Sequence, residues 1–254
     1  MFWGAYAVSQ SQSIIEYIGF SFAVGICGGL AFCAAHELIH KHNRIDNWMG
    51  NIILILTAGG HAPMEHVLIH HGPFIAGTPV DHVHAKSGVG FYQFYFKAML
   101  GLRIAAYGAE KKRMLRLGRS PISLYNRLLF LNLCTVLLAL FLGFLFGYLA
   151  ILYFITAAIV SSFVILSAAY IQHYGLERFN LPDGSYEKFS ELHSWNSNYV
   201  LGNYLLFQLP RHSIHHMRPG LDFETSEDNP LNPQLPYGYF ICGISVHDKI
   251  LIKL

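Results

Sequence analysis

Residues 36–40 read His36-Glu37-Leu38-Ile39-His40. Two histidines four apart share one face of a helix, and the Glu between them completes H-E-x-x-H. In that pattern the histidines hold zinc and the carboxylate serves as general base. Taken alone it predicts a metalloprotease, with Asp183 in LPDG as a candidate third ligand. The rest of the chain offers much more nitrogen. His66-x-x-x-His70-His71 lies in MEHVLIHHG, His173 in YIQHYGLER, and His212-x-x-His215-His216 in LPRHSIHHM. With His36 and His40 these make nine histidines, and a catalytic zinc takes about three protein ligands. Spacings of three and four place ring nitrogens on one helical face. An adjacent His-His pair splits between two directions, so two such pairs suit two metal positions. Imidazole suits iron, copper, nickel and zinc. Soluble di-iron bundles use Glu ligands and paired E-x-x-H motifs. Only Glu37-x-x-His40 has that spacing here, so a nitrogen-rich dinuclear iron site is expected. Glu37 and Glu65 each adjoin a proposed ligand and are candidates to orient its second nitrogen. His42, His61, His82, His84, His193 and His247 are expected at the interface or behind the ligands.

The elements that must carry these residues are apolar. The 254 residues are 53% hydrophobic and 13% charged, with a mean hydropathy of +0.37. Soluble domains carry about 25% charged residues, so an all-α, multi-pass transmembrane bundle is expected, formed as one domain over residues 1–254. The net charge of +2 gives nucleic acid no footing. Cys27, Cys33, Cys134 and Cys242 lie in apolar runs without a C-x-x-C, which disfavours disulfides and thiolate metal sites and predicts small core residues. Residues 13–35 are long enough to cross a bilayer and run on into His36 and His40. They follow no basic segment, unlike a cleaved signal peptide. Residues 124–147 and 149–171 read as a transmembrane hairpin turning at Gly147-Tyr148. Residues 50–60 read as a buried or re-entrant segment, 91–107 as an interfacial helix, and 199–209 and 237–252 as shorter apolar stretches. Lys41, Arg44, Lys111, Lys112, Arg113, Arg116, Arg119 and Arg178 flank the same ends of these spans, so the positive-inside rule puts every histidine cluster toward the cytoplasm. Phe20, Phe22, Phe32 and Phe163 are candidates to line an apolar path, or to face lipid.

HELIHK, EHVLIHH, HYGLER and LPRHSIHH resemble, in order and spacing, the motifs HELxHK, EHxxGHH, NYxxHYGLxR and LQRHSDHH of the membrane alkane 1-monooxygenases and the related xylene monooxygenases. WNSNYVLGNYLLFQLPRHSIHH is similar to that family's run into its last motif, and NPQLPYGYF to its continuation. The resemblance covers roughly residues 30–240. Ile69 stands for the Gly of EHxxGHH, Pro210 for a Gln, and Ile214 for an acidic or polar residue. The resemblance implies a membrane helical bundle with two iron ions liganded by His36, His40, His66, His70, His71, His173, His212, His215 and His216. It implies O2-dependent hydroxylation of a terminal methyl group, with electrons from a rubredoxin-type donor and its reductase. Family members carry further membrane helices ahead of the first motif and one precedes it here, which points to an N-terminally truncated or compact chain.

Three other functions compete. A membrane fatty-acid or sterol desaturase-type oxidase shares the histidine-rich di-iron logic. It usually shows H-x-x-HH in its second box, one residue shorter than His66-x-x-x-His70-His71. An intramembrane zinc protease leaves seven clustered histidines unused. A metal transporter or assembly subunit would place histidines along a membrane path, whereas these cluster at helix ends. The apolar substrate is expected to enter from the membrane lipid. Electrons are expected in trans, with Lys111, Lys112, Arg113 and Arg116 available to an acidic carrier.

Overall fold

The computed structural model describes residues 1–72, 75–227, 229, 231–239 and 241–242. His247 and most of the apolar stretch 237–252 lie outside the described residues. The α-helices with defined bounds among the described residues are α1 (Phe2–Gln10), α2 (Ile14–His40), α3 (Arg44–Leu56), α4 (Ala62–Glu65), α5 (Phe91–Arg116), α6 (Arg127–Phe146), α7 (Tyr148–His173), α8 (Val200–Leu205) and α9 (His212–Met217). A π-helical turn, His66–His70, follows α4 directly. Among the described residues β-pairing is confined to three isolated bridges. The chain packs as two compact units, residues 1–62 with 107–165, and residues 63–106 with 166–254. Each is assembled from separate stretches of sequence, so neither is a contiguous segment.

The first unit holds α2, α6 and most of α7, which among the described residues are the three helices long and apolar enough to cross a membrane. Ser13 caps α2 by accepting from the Ile15 N–H at 3.2 Å. The helix then runs without a breaker to His40, as its apolar sequence predicts. Asn126 caps α6 through Leu129 N at 3.1 Å. Gly147 ends it at φ +85°, in the left-handed region that only Gly adopts without strain, and α7 begins at the next residue. The hairpin is therefore as expected. Small residues let α2 approach α7 closely. A Cβ on Gly25 would lie 2.4 Å from Val160 Cβ, and one on Gly29 2.5 Å from Val164 Cβ. Ser161 Oγ donates to the Gly25 carbonyl at 2.9 Å. This is how membrane helices gain contact without a hydrophobic driving force between them. Cys27 is exposed rather than core. Two residues along a helix is a turn of about 200°, which puts Cys27 opposite Gly25. Cys33 is buried as expected. Phe22 is also exposed, whereas Phe20 packs against Trp3 and the core of Ala5, Val8, Leu142, Ala150, Tyr153 and Phe154.

α5 extends past the expected residue 107 to Arg116. Its basic end is helical because Lys, Arg and Glu favour helix and because Glu110 pairs with Arg113 across one turn, at 2.7 and 2.8 Å. Gly118 at φ +64° follows the end. Buried Glu110 also accepts from the Arg127 N–H at 2.8 Å, and Arg113 donates to the Tyr125 carbonyl at 2.8 Å, so this ion pair ties α5 to the start of α6. Burial pushes the Glu110 carboxyl up, but the Arg113 hydrogen bonds, the Arg127 N–H and the two guanidinium charges outweigh it and hold it below the ordinary carboxylate range. A depressed folded value stabilises the protein above the unfolded value and is lost as pH falls through the folded one. Thermal unfolding in detergent is expected to show Tm falling as pH drops below the carboxylate range, with a shallower fall in Glu110→Gln. Equal slopes would remove Glu110 from the acid response.

The second unit holds the π turn, most of α5, α8, α9 and long loops tied by backbone and side-chain hydrogen bonds. α8 stops at Leu205, short of the expected apolar stretch 199–209, because Phe207 and Gln208 both turn left-handed, at φ +52° and +58°. Each such non-glycine residue costs about 1–2 kcal/mol. The turn aims Pro210 and Arg211 into α9.

Candidate metal centre

The π turn decides which way three histidines point. Residues five apart on an α-helix diverge by about 140°. Here the His71 N–H donates to the His66 carbonyl at 3.0 Å, a wider turn that brings the two rings round to the same side. Their Nε2 atoms are 3.1 Å apart. His215 Nε2 lies 2.9 Å from His71 Nε2, and the His215 ring stacks on His66 at 5.9 Å between centroids. His66, His71 and His215 thus converge within the second unit.

His70, beside His71 in sequence, faces a different group. Its Nε2 is 3.1 Å from His216 Nε2. His216 Nε2 is 3.1 Å from His212 Nε2, one turn back on α9. His212 Nε2 is 3.0 Å from His173 Nε2, at the last residue of α7. The ligand atoms of these four rings all lie within 4.8 Å of one another. Each adjacent pair is therefore divided, His70 and His216 going to the four-histidine group, His71 and His215 to the other. In the first unit, the rings of His36 and His40, one turn apart at the end of α2, meet edge to face with centroids 5.1 Å apart.

The four-histidine group fits a metal ion better than it fits a hydrogen-bonded cluster. A ring nitrogen directs one proton or one lone pair along a single axis. His212 Nε2 and His216 Nε2 each face two other nitrogens, so at least one of the three contacts cannot be a hydrogen bond. One ion taking a lone pair from each ring satisfies all four. Nitrogens held about 2.1 Å from a metal ion, at right angles, are about 3 Å apart, the separation seen here. Burial, and then the neighbouring His71, His70, His212 and His173, hold His216 well below the ordinary histidine range, so it keeps its lone pair. Phe189 lies over the His216 ring at 4.7 Å and keeps water from that face.

The surrounding contacts were not legible in the sequence. His70 Nδ1 lies 2.9 Å from Asp81 Oδ2, both side chains fully buried. Burial lowers the His70 pKa, but the Asp81 charge and hydrogen bond outweigh it and hold the imidazole above its ordinary value; the same pairing holds Asp81 below its own. Asp81 offered one signal, a lone acid in the apolar and histidine-rich TPVDHVH of a chain poor in charge. Arg178 of HYGLER donates from Nε to the Glu187 carbonyl at 2.6 Å and from Nη1 to the Ala76 carbonyl at 3.2 Å. Its backbone N–H donates to the Gly77 carbonyl at 2.9 Å. These bonds fix the loop that carries Asp81. Ser213, between His212 and His215, is locked by Asn196, which donates to its Oγ at 2.7 Å and accepts from its N–H at 3.0 Å.

Other expectations meet mixed outcomes. Glu65 is buried and makes no hydrogen bond to a histidine among the described residues; burial pushes its carboxyl up to about 8. Glu37 Oε1 is 3.6 Å from His36 Nδ1, longer than a hydrogen bond. His84 and His193 brace loops through Glu177 and Glu187, each at 3.0 Å. Asp183 is exposed and accepts from Ser185 Oγ at 2.6 Å in its own turn, so it is not poised as a third zinc ligand.

A model of the fatty acid desaturase family matches residues 15–236. The chain belongs to that family. Within it, the chain is similar to alkane 1-monooxygenases. It is 37% identical over 231 residues to the alkane 1-monooxygenase of Ectopseudomonas oleovorans. It is 36% identical over 231 residues to alkane 1-monooxygenase 1 of Alcanivorax borkumensis. Both matches cover 91% of this chain and 57% of the relative. To the alkane 1-monooxygenase of Acinetobacter baylyi it is 35% identical over 240 residues, covering 93% of this chain and 58% of that one. The chain thus spans less than two thirds of the length of these curated relatives. With three helices apolar enough to span a bilayer, this desaturase-family member is an integral membrane protein.

Proposed function

We propose that the chain holds two iron ions and carries out O2-dependent hydroxylation of the terminal methyl group of an alkane or a similar apolar chain. The observation that carries this reading is the division of each His-His pair between two nitrogen-only groups, which provides for two metal ions where a zinc hydrolase needs one. His70, His173, His212 and His216 would hold one iron. His66, His71 and His215 would hold the other, with His36 and His40 added by the resemblance of HELIHK to its family motif. When bound, the iron pair supplies reductive activation of O2 and transfer of one oxygen atom into a C–H bond. The chain's own residues orient the imidazoles and exclude water. Similarity to alkane 1-monooxygenases, together with the H-x-x-x-HH spacing, favours hydroxylation over desaturation.

The histidine groups would face the cytoplasm, the apolar substrate would enter from membrane lipid, and a rubredoxin-type protein with its reductase would deliver electrons. Because Arg113 is committed to Glu110, Lys111, Lys112 and Arg116 are the basic residues left at the C-terminal end of α5 to meet an acidic carrier. Elemental analysis of the purified protein is expected to give about two irons per chain and little zinc, as the count of nitrogen ligands requires. With reduced rubredoxin, O2 and a linear alkane it should yield the primary alcohol carrying oxygen from O2. An alkene without oxygen incorporation would move the assignment to a desaturase. One zinc per chain with peptide hydrolysis would overturn it.

A further inference from the structure

Within the four-histidine group, His70 stands out because its far nitrogen meets a carboxylate, with the side chains of His70 and Asp81 1% and 0% exposed. We propose that Asp81 is a positioning residue that fixes the His70 proton on Nδ1 and so tunes one metal position of the two; this rests on the di-iron reading above. An acceptor at Nδ1 settles which nitrogen carries hydrogen, leaving the Nε2 lone pair directed at the group. A carboxylate there also raises the donor strength of the imidazole. Asp81 is itself held. Its Oδ1 accepts from the Val83 N–H at 3.1 Å, and its own N–H donates to the Thr78 carbonyl at 3.0 Å. The loop beneath it is pinned through Ala76 and Gly77 by Arg178. The carboxylate therefore cannot swing away when a metal ion binds, and His70 cannot turn its ring without breaking a buried hydrogen bond.

The effect should be confined to one position, because His70 contributes to one group and His71 turns to the other. The test is anaerobic titration of the metal-free full chain with ferrous iron, followed by Mössbauer spectra, for wild type, Asp81→Asn and Asp81→Ala. Asp81→Asn keeps the shape and an acceptor but removes the charge. Wild type should take up two irons. In Asp81→Asn one of the two binding steps should weaken by about 10- to 100-fold, with more loss in Asp81→Ala. One iron signal should shift, while the other superimposes on wild type. A merely structural role would alter both signals or neither. If wild type binds no iron, the proposed function fails. If wild type binds two and Asp81→Asn matches it in affinity and spectrum, or weakens both steps equally, the role given to Asp81 is overturned and the di-iron reading stands. Should Asp81→Ala fail to fold, Asp81→Asn decides.

Discussion

Replacing His216 by Ala is expected to halve the iron content, from about two to about one per chain, and to lower alcohol formation by more than about 100-fold, beyond the usual effect of an outer partner. His216 Nε2 stands 3.1 Å from both His70 Nε2 and His212 Nε2, in the middle of the four-histidine group. Its removal leaves three rings and an opening where the fourth nitrogen stood. His173→Ala removes a ring from the end of the same group and should lose the same iron. His215→Ala should disturb the other. Glu37→Gln should spare most of the iron, since Glu37 makes no hydrogen bond to His36. Elemental analysis and product assays on the four variants give the answer. If His173→Ala and His216→Ala leave the metal untouched while Glu37→Gln abolishes a hydrolytic activity, the site is a zinc centre built on HELIH alone.

The contrast between variants rests on two kinds of sequence signal. α2 and the α6–α7 hairpin were legible because long apolar runs in a chain with 13% charged residues leave few alternatives to spanning helices, and because Gly147 marks the turn. The histidine groups were legible as types and spacings. The way they divide was only partly so. An adjacent pair must split, but which ring joins which group depends on the π turn at His66–His70, and helical spacing assumes 3.6 residues per turn. Asp81 and Arg178 were illegible for another reason. Asp81 acts on a residue eleven positions away, and Arg178 on a carbonyl more than a hundred positions away. Neither contact follows from a local period. The basic end of α5 was read as charge flanking a hairpin, and its helical form depends on the pairing of Glu110 with Arg113.

Arg178→Ala is expected to cost about 3 kcal/mol or more of stability and to loosen iron in the four-histidine group before the other. The side chain is buried and its guanidinium donates to two carbonyls, those of Glu187 and Ala76. Hydrogen bonds that involve a charged group contribute about 1.5–3 kcal/mol each, and a buried carbonyl left without its donor adds its own desolvation cost. The backbone bond from residue 178 to Gly77 survives the substitution, so the loop is loosened and not released. Gly77, at φ +71°, lets the chain pass close to the Arg178 stem, where a Cβ would lie 3.2 Å from Cγ. Arg178→Lys should recover little. An ammonium on a flexible stem lacks the planar fork that spans two acceptors in different directions. Lys188→Ala, nearby and exposed, serves as the control and should change neither property. Thermal unfolding in detergent and iron content together test the expectation. An Arg178→Ala protein with wild-type Tm and wild-type iron would mean that the loop bearing Asp81 holds its shape without this brace, and that the Arg of HYGLER acts somewhere other than behind His70.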